Sequence, residues 1–149
     1  MKKFFRILAA TMLLAVMATT LCSCGVPSDA TKAKANLEKN GYTVIMLQGS
    51  YKGNIISINT GVEYTVTGTN GEESVSIIYY SAKESADKAY NEYKEKHDKS
   101  LKELKASYDD GKITKENYDK AKATLDNIKF GKSGKVFYSG TKAGVKAAC

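Results

Sequence analysis

The chain has 149 residues, 23 basic and 16 acidic side chains and a formal net charge of +7. That length supplies one domain with a real core and is too short for two of ordinary size. Arg6 is the only arginine and His97 the only histidine. Beyond Arg6 the sequence lacks the bidentate fork favoured for phosphate and base-edge recognition, and it offers a single base for any nucleophilic triad.

In chain order, Lys2, Lys3 and Arg6 precede an apolar run from Ile7 to Leu21, the pattern of an export signal. The run is short for a spanning helix, which needs roughly 20 apolar residues. It ends in Leu21-Cys22-Ser23-Cys24. This stretch resembles the lipobox of bacterial lipoproteins, with small Ser23 before the cut and Cys24 after it. Cys22 stands where Ala or Ser is usual, and a cut before Cys22 would set bulky Leu21 against a site that accepts small residues. The resemblance implies removal of residues 1–23, a thioether-linked diacylglycerol on Cys24, and an extracytoplasmic protein whose first partner is the membrane. Two or more acyl chains hold a protein on a bilayer where one does not. An uncleaved anchor and an ordinary secretory signal are the other readings of the segment.

Without residues 1–23 the chain keeps 20 lysines against 16 acids, a net +4, and an exported chain is separated from nucleic acid. Cys149 would be its one unmodified thiol, read as a terminal residue without a role or as a site of intermolecular disulfide formation. Residues 24–28 form the acylated cysteine and a short tether, which starts the 29–149 domain within about 15 Å of the lipid.

Asp29 is placed to cap a first helix with Ala30, Ala33 and Leu37 on one face, stopped at Asn40-Gly41. The period then becomes two, through Tyr42–Leu47, Asn54–Ile58, Val62–Thr67 and Ser74–Tyr80. In the third run Val62, Tyr64 and Val66 are expected on one face. The first and fourth runs are apolar on both faces and so belong near the sheet centre. Asn70-Gly71 reads as a two-residue hairpin turn.

From Ala82 helical spacing returns through Ala86, Ala89, Tyr93, Leu101, Leu104 and Tyr108, about 27 residues or roughly 40 Å, longer than a small sheet needs for cover. After Gly111, Thr114 can cap a second helix bearing Tyr118, Ala121, Leu125 and Ile128. The pair, at about residues 94–130, is predicted as an inserted αα-hairpin. Gly131 and Gly134 then lead into a short strand at Lys135–Ser139 and a last helix from Thr141. Ile78–Tyr90 and Val136–Ala148 echo one another as strand-to-helix units. The fold class is α+β, a four- to five-stranded mainly antiparallel sheet with helices on one face.

Helix, Asp109-Asp110-Gly111, helix outlines a calcium loop, but the register fails. With Gly111 at position six, Ala106, Tyr108 and Asn117 fall where ligands are needed and only Asp110 is correctly placed. What the segment does resemble is the short C-terminal (SHOCT) module, through Leu101, Leu104, Tyr108, Gly111, Ile113, Thr114, Tyr118, Lys122 and Leu125. That resemblance implies docking or oligomerisation without chemistry; a bare structural hairpin is its equal alternative. Leu101, Leu104, Tyr108, Tyr118 and Leu125 form the candidate interaction surface, for an envelope protein or for self-association.

His97, set among lysines, reads as a solvated helix residue. Tyr79, Tyr80, Tyr90, Tyr93 and Tyr138 gather near the fourth strand and long helix, as a core and its rim or as an aromatic binding surface. No metal-spaced Cys or His pair, phosphate-binding glycine loop or nucleophile elbow appears, and no cofactor is called for. The expectation is a non-catalytic envelope lipoprotein with a protein-binding or structural role, or else one that binds a small molecule or peptide.

Overall fold

A computed structural model describes residues 25–49 and 61–149. Its elements are α1 (Ala30–Lys39), β1 (Thr43–Gln48), β2 (Val62–Asn70), β3 (Glu73–Tyr80), α2 (Lys83–Asp109), α3 (Lys115–Asp126), β4 (Ile128–Ser133), β5 (Val136–Thr141) and α4 (Lys142–Ala148). The five strands form one antiparallel sheet in the order β1-β2-β3-β5-β4. The class is α+β. Residues 1–24 and the expected strand Asn54–Ile58 lie outside the described residues.

Local signals set the helix ends. The Asp29 carboxylate accepts from the Thr31 and Lys32 amides and starts α1, whose buried residues are Ala30, Ala33 and Leu37. Thr114 caps α3 through the Asn117 amide, and Thr141 caps α4 through that of Gly144. The α1 and α4 helices lie side by side, with Asn36 and Asn40 side-chain amides donating to the Ala148 and Ala147 carbonyls at 3.1 Å each. Those carbonyls are among the four that a helix leaves unpaired at its C-terminus.

Helices occupy both faces of the sheet, which corrects the expectation of one. On the first face α1 and α4 cover Val66, Val75, Ile77, Tyr79 and Val136. On the second, Ala86 and Ala89 of α2 pack with Tyr80 and Phe137, flanked by Ile78 and Phe130. Successive residues of β3 and of β5 point to opposite faces, so a central strand that is apolar throughout needs cover on both.

Three further expectations change. The first apolar run is an edge strand among the described residues, and Ile45 on it is 60% exposed. Val62 faces away from Tyr64 and Val66, because a register shift between Val62 and Tyr64 inserts an extra residue against the Tyr79-Tyr80 pair. Ile128 opens a strand instead of closing a helix, and Gly131 lies within β4 opposite Tyr138. A Cβ on Gly131 would come within 2.6 Å of the Tyr138 Cζ. Here glycine makes room for a ring that lies across the strand.

The expected tether also shortens. Val26 is only 3% exposed and joins the first-face core, while the Tyr79 hydroxyl donates to the Pro27 carbonyl at 3.0 Å. The body of the domain thus begins at Val26.

Candidate functional site

The long helix α2 runs antiparallel to β4, and side chains along the crossing show its course. Near its start the Asp87 carboxylate meets the Lys132 ammonium at 2.6 Å, and that hydrogen bond lowers the Asp87 pKa. Lys132 also lies 5.1 Å above the Tyr90 ring. Further along, Tyr90, Tyr93 and His97 stand around Phe130 with ring centroids 5.8, 5.0 and 5.3 Å away. Tyr93 also reaches Phe137 at 5.5 Å.

His97 is not the solvated side chain expected from its lysine-rich setting. Its side chain is 15% exposed and Nε2 faces the Leu125 carbonyl at 3.3 Å. A carbonyl only accepts, so the tautomer that bonds here carries its proton on Nε2. The intervals Tyr93, His97, Leu101 and Leu104 put His97 on the face that meets α3, a signal that its lysine neighbours conceal. The ring secures the end of α3 against α2, while Nδ1 lies 3.9 Å from the Asp98 carboxylate. Below it Glu92, Tyr93, Lys96, His97, Ser100, Leu125 and Ile128 line a mostly apolar groove of about 210 Å³.

Past Ser100, α2 packs against α3. Leu101, Leu104, Tyr118 and Leu125 are half-buried and Tyr108 is 36% exposed. The buried residues of α2 are Ala86 and Ala89, both over the sheet, and α3 has none. At the tip Tyr108 and Tyr118 stack at 4.7 Å with 26° between planes. Of the candidate interaction residues, Tyr108 and Tyr118 meet at the tip, Leu125 lies at the sheet end beside His97, and half-buried Leu101 and Leu104 occupy the stretch of α2 between. Ion pairs four residues apart line the outside: Lys105–Asp109 at 2.6 Å, Lys115–Asp119 at 2.7 Å, Lys120–Glu116 at 2.7 Å and Lys122–Asp126. Hydrogen bonds donated to the Asp109, Asp119 and Asp126 carboxylates raise the pKa of Lys105, Lys115 and Lys122 respectively.

Gly111 has φ +69 and ends the turn after α2, while Asp109 and Asp110 are paired with Lys105 and Lys112. Among the described residues no three His, Cys, Asp or Glu side chains are grouped to hold a metal ion. Among the described residues the other tyrosines divide between the two cores. Tyr79 and Tyr80 are buried on opposite faces, and Tyr90, Tyr93 and Tyr138 are half-buried. Burial raises the Tyr79 hydroxyl pKa, helped by the Asp29 carboxylate, and likewise that of Tyr80, helped by Glu92. Cys149 is exposed, with Sγ 3.2 Å from the Val145 carbonyl. No described helix is long and apolar enough to cross a membrane.

No protein-family model, curated protein or solved structure matches the chain.

Proposed function

We propose that the protein is an extracytoplasmic envelope lipoprotein, held on a membrane through acylated Cys24, that works by binding a protein partner or a second copy of itself through the distal parts of α2 and α3. The observation that carries the binding role is the lack of any buried residue in α3 or in α2 beyond Ala89. Past Ser100, residues 101–126, about a sixth of the chain, are ordered without adding a buried residue to either core, and ordering backbone costs roughly 1–2 kcal/mol per residue. A seam of Leu101, Leu104, Tyr108, Tyr118 and Leu125, half-covered and rimmed by charge, suits a reversible helical contact.

The test replaces Leu101–Thr124 with Gly-Ser-Gly-Ser, keeping His97 and Leu125. The shortened protein is expected to fold with a nearly unchanged urea midpoint and to lose the partner or self-crosslinks that the full protein forms in intact cells. Unchanged crosslinks, or an unfolded domain, would refute the role.

The groove beneath His97 supports a second reading, a small apolar ligand or peptide side chain held between Tyr93, Leu125 and Ile128. Ile128→Trp would fill it and abolish that binding while sparing a contact made at the tip.

A further inference from the structure

Resting on the reading that Cys24 is acylated, we propose that the anchor determines which end of the domain meets the lipid surface, and that α2 carries the tyrosine-stacked tip away from it. The orientation follows from three observations on the protein's own elements.

The first is where the chain enters the domain. Val26 is in the core and Tyr79, near the end of β3, holds the Pro27 carbonyl. Cys24 precedes Val26 by two residues, and consecutive Cα atoms are 3.8 Å apart, so it lies within about 8 Å of the Val26 Cα. The second is the register of the sheet. Tyr79 pairs with Val136 and Val136 with Ser133, so the end of β3, the start of β5 and the end of β4 are level with one another. The Lys135 carbonyl accepts from the Tyr80 amide at 2.9 Å, placing the 133–135 turn at this same end. The third is the direction of α2. It begins at Lys83, just beyond the end of β3, and its contacts descend β4 from Lys132 through Phe130 to Ile128 as the helix advances from Asp87 to Ser100. Leu101–Asp109 then continue past the far end of the sheet. Twenty-seven residues at 1.5 Å each carry the tip about 40 Å along the helix axis from the end that holds the anchor.

With Gly25 as the only residue between the lipidated cysteine and the packed chain, the membrane-facing end includes, among the described residues, 25–29, 48–49, 61–62, the 81–83 connection and the 133–135 turn. The opposite pole presents Tyr108, Lys112 and Tyr118. A lipoprotein with a long flexible tether would have no such polarity, since its body could take any orientation within reach of the lipid.

The experiment uses full-length protein expressed in its membrane, with Cys149→Ser so that one introduced thiol carries a fluorophore, either Lys135→Cys or Lys112→Cys. Both lysines are exposed. The purified lipidated proteins are placed in vesicles containing a headgroup spin-labelled lipid that quenches at short range. Strong loss of emission is expected at position 135 and none at 112, and a ten-residue Gly-Ser spacer between Cys24 and Gly25 should weaken the loss at 135. Equal quenching at both positions, stronger quenching at 112, or no effect of the spacer overturns the orientation while leaving acylation intact. Intact mass is measured on every sample. A mass without the lipid on Cys24 overturns the anchor itself, and the orientation with it.

Discussion

Val26→Ala distinguishes a built-in N-terminus from a loose tether. The side chain is 3% exposed in the first-face core beside Ala30, Tyr79 and Val145. The substitution removes two buried methyl groups, worth about 0.8 kcal/mol each, and the space they leave raises the loss to about 2 kcal/mol. For a domain of this size that is a fall of about 8 °C in Tm. Urea unfolding followed by circular dichroism should show a lower midpoint with an unchanged slope, as for a change in the folded state alone. Gly25→Ala is the matched control, because a Cβ there meets nothing within 4 Å. Tyr79→Phe adds an independent arm, removing the donor to the Pro27 carbonyl at a cost of about 1 kcal/mol. If Val26→Ala costs less than about 0.5 kcal/mol, the size of an ordinary surface change, residue 26 is not packed as described and the short reach from anchor to domain is wrong.

Alkaline pH should unfold the protein. Tyr42, Tyr79, Tyr80 and Tyr138 all have folded pKa values raised above the ordinary 10.0, chiefly by burial, so their contribution is complete below about pH 10 and is lost as the pH rises through the folded values. Urea midpoints between pH 8 and 12 should fall, and less steeply for Tyr79→Phe; a flat profile would contradict the burial. Gly140→Ala should cost about 3 kcal/mol or more, because the new Cβ would lie 2.3 Å from the Ser74 carbonyl oxygen and 2.6 Å from the Val75 Cα, neither of which a side-chain rotation can move. His97→Ala should lower stability by about 2 kcal/mol through lost packing on Phe130 and a lost bond to the Leu125 carbonyl, and hydrogen exchange in α3 should rise more than in α1.

Much of this architecture was legible because local chemistry and global packing agree. Asp29, Thr114 and Thr141 cap the helices that their positions predict, and the spacing from Ala86 to Tyr108 marks a helix too long for the sheet it crosses. Ser74–Tyr80 is apolar on both faces because it lies mid-sheet under two helical layers. The same signal misplaced Tyr42–Leu47, which among the described residues is an edge strand carrying an exposed isoleucine, because periodicity alone does not separate that from a buried strand. The strand at Ile128–Ser133 was obscured by Gly131, whose missing side chain reads locally as a break and is explained only by Tyr138, seven residues on. The face of Val62 depended on a bulge with no signature of its own. At the candidate site, Tyr108 stacks on Tyr118, a pair that helical spacing leaves facing the same gap, while the enclosure of His97 required Phe130, which helical periodicity did not bring into view.

The side-by-side arrangement of α1 and α4 has a kinetic consequence. Asn36 reaches a carbonyl 112 residues further along the chain, and Ala33, Leu37, Val145 and Ala148 share one core. Contacts between the two ends of a chain are the last to be rewarded, since loop closure precedes any gain from packing. The second face, closed by β3, α2, β4 and β5, can assemble while the first remains open. Until residues 145–148 have been made, α1 lacks its contacts with α4 and rests on β1 and β2. Completion of the first face therefore waits on α4, whereas the second face draws its core from Tyr80, Ala86, Ala89 and Phe137 and can close without it.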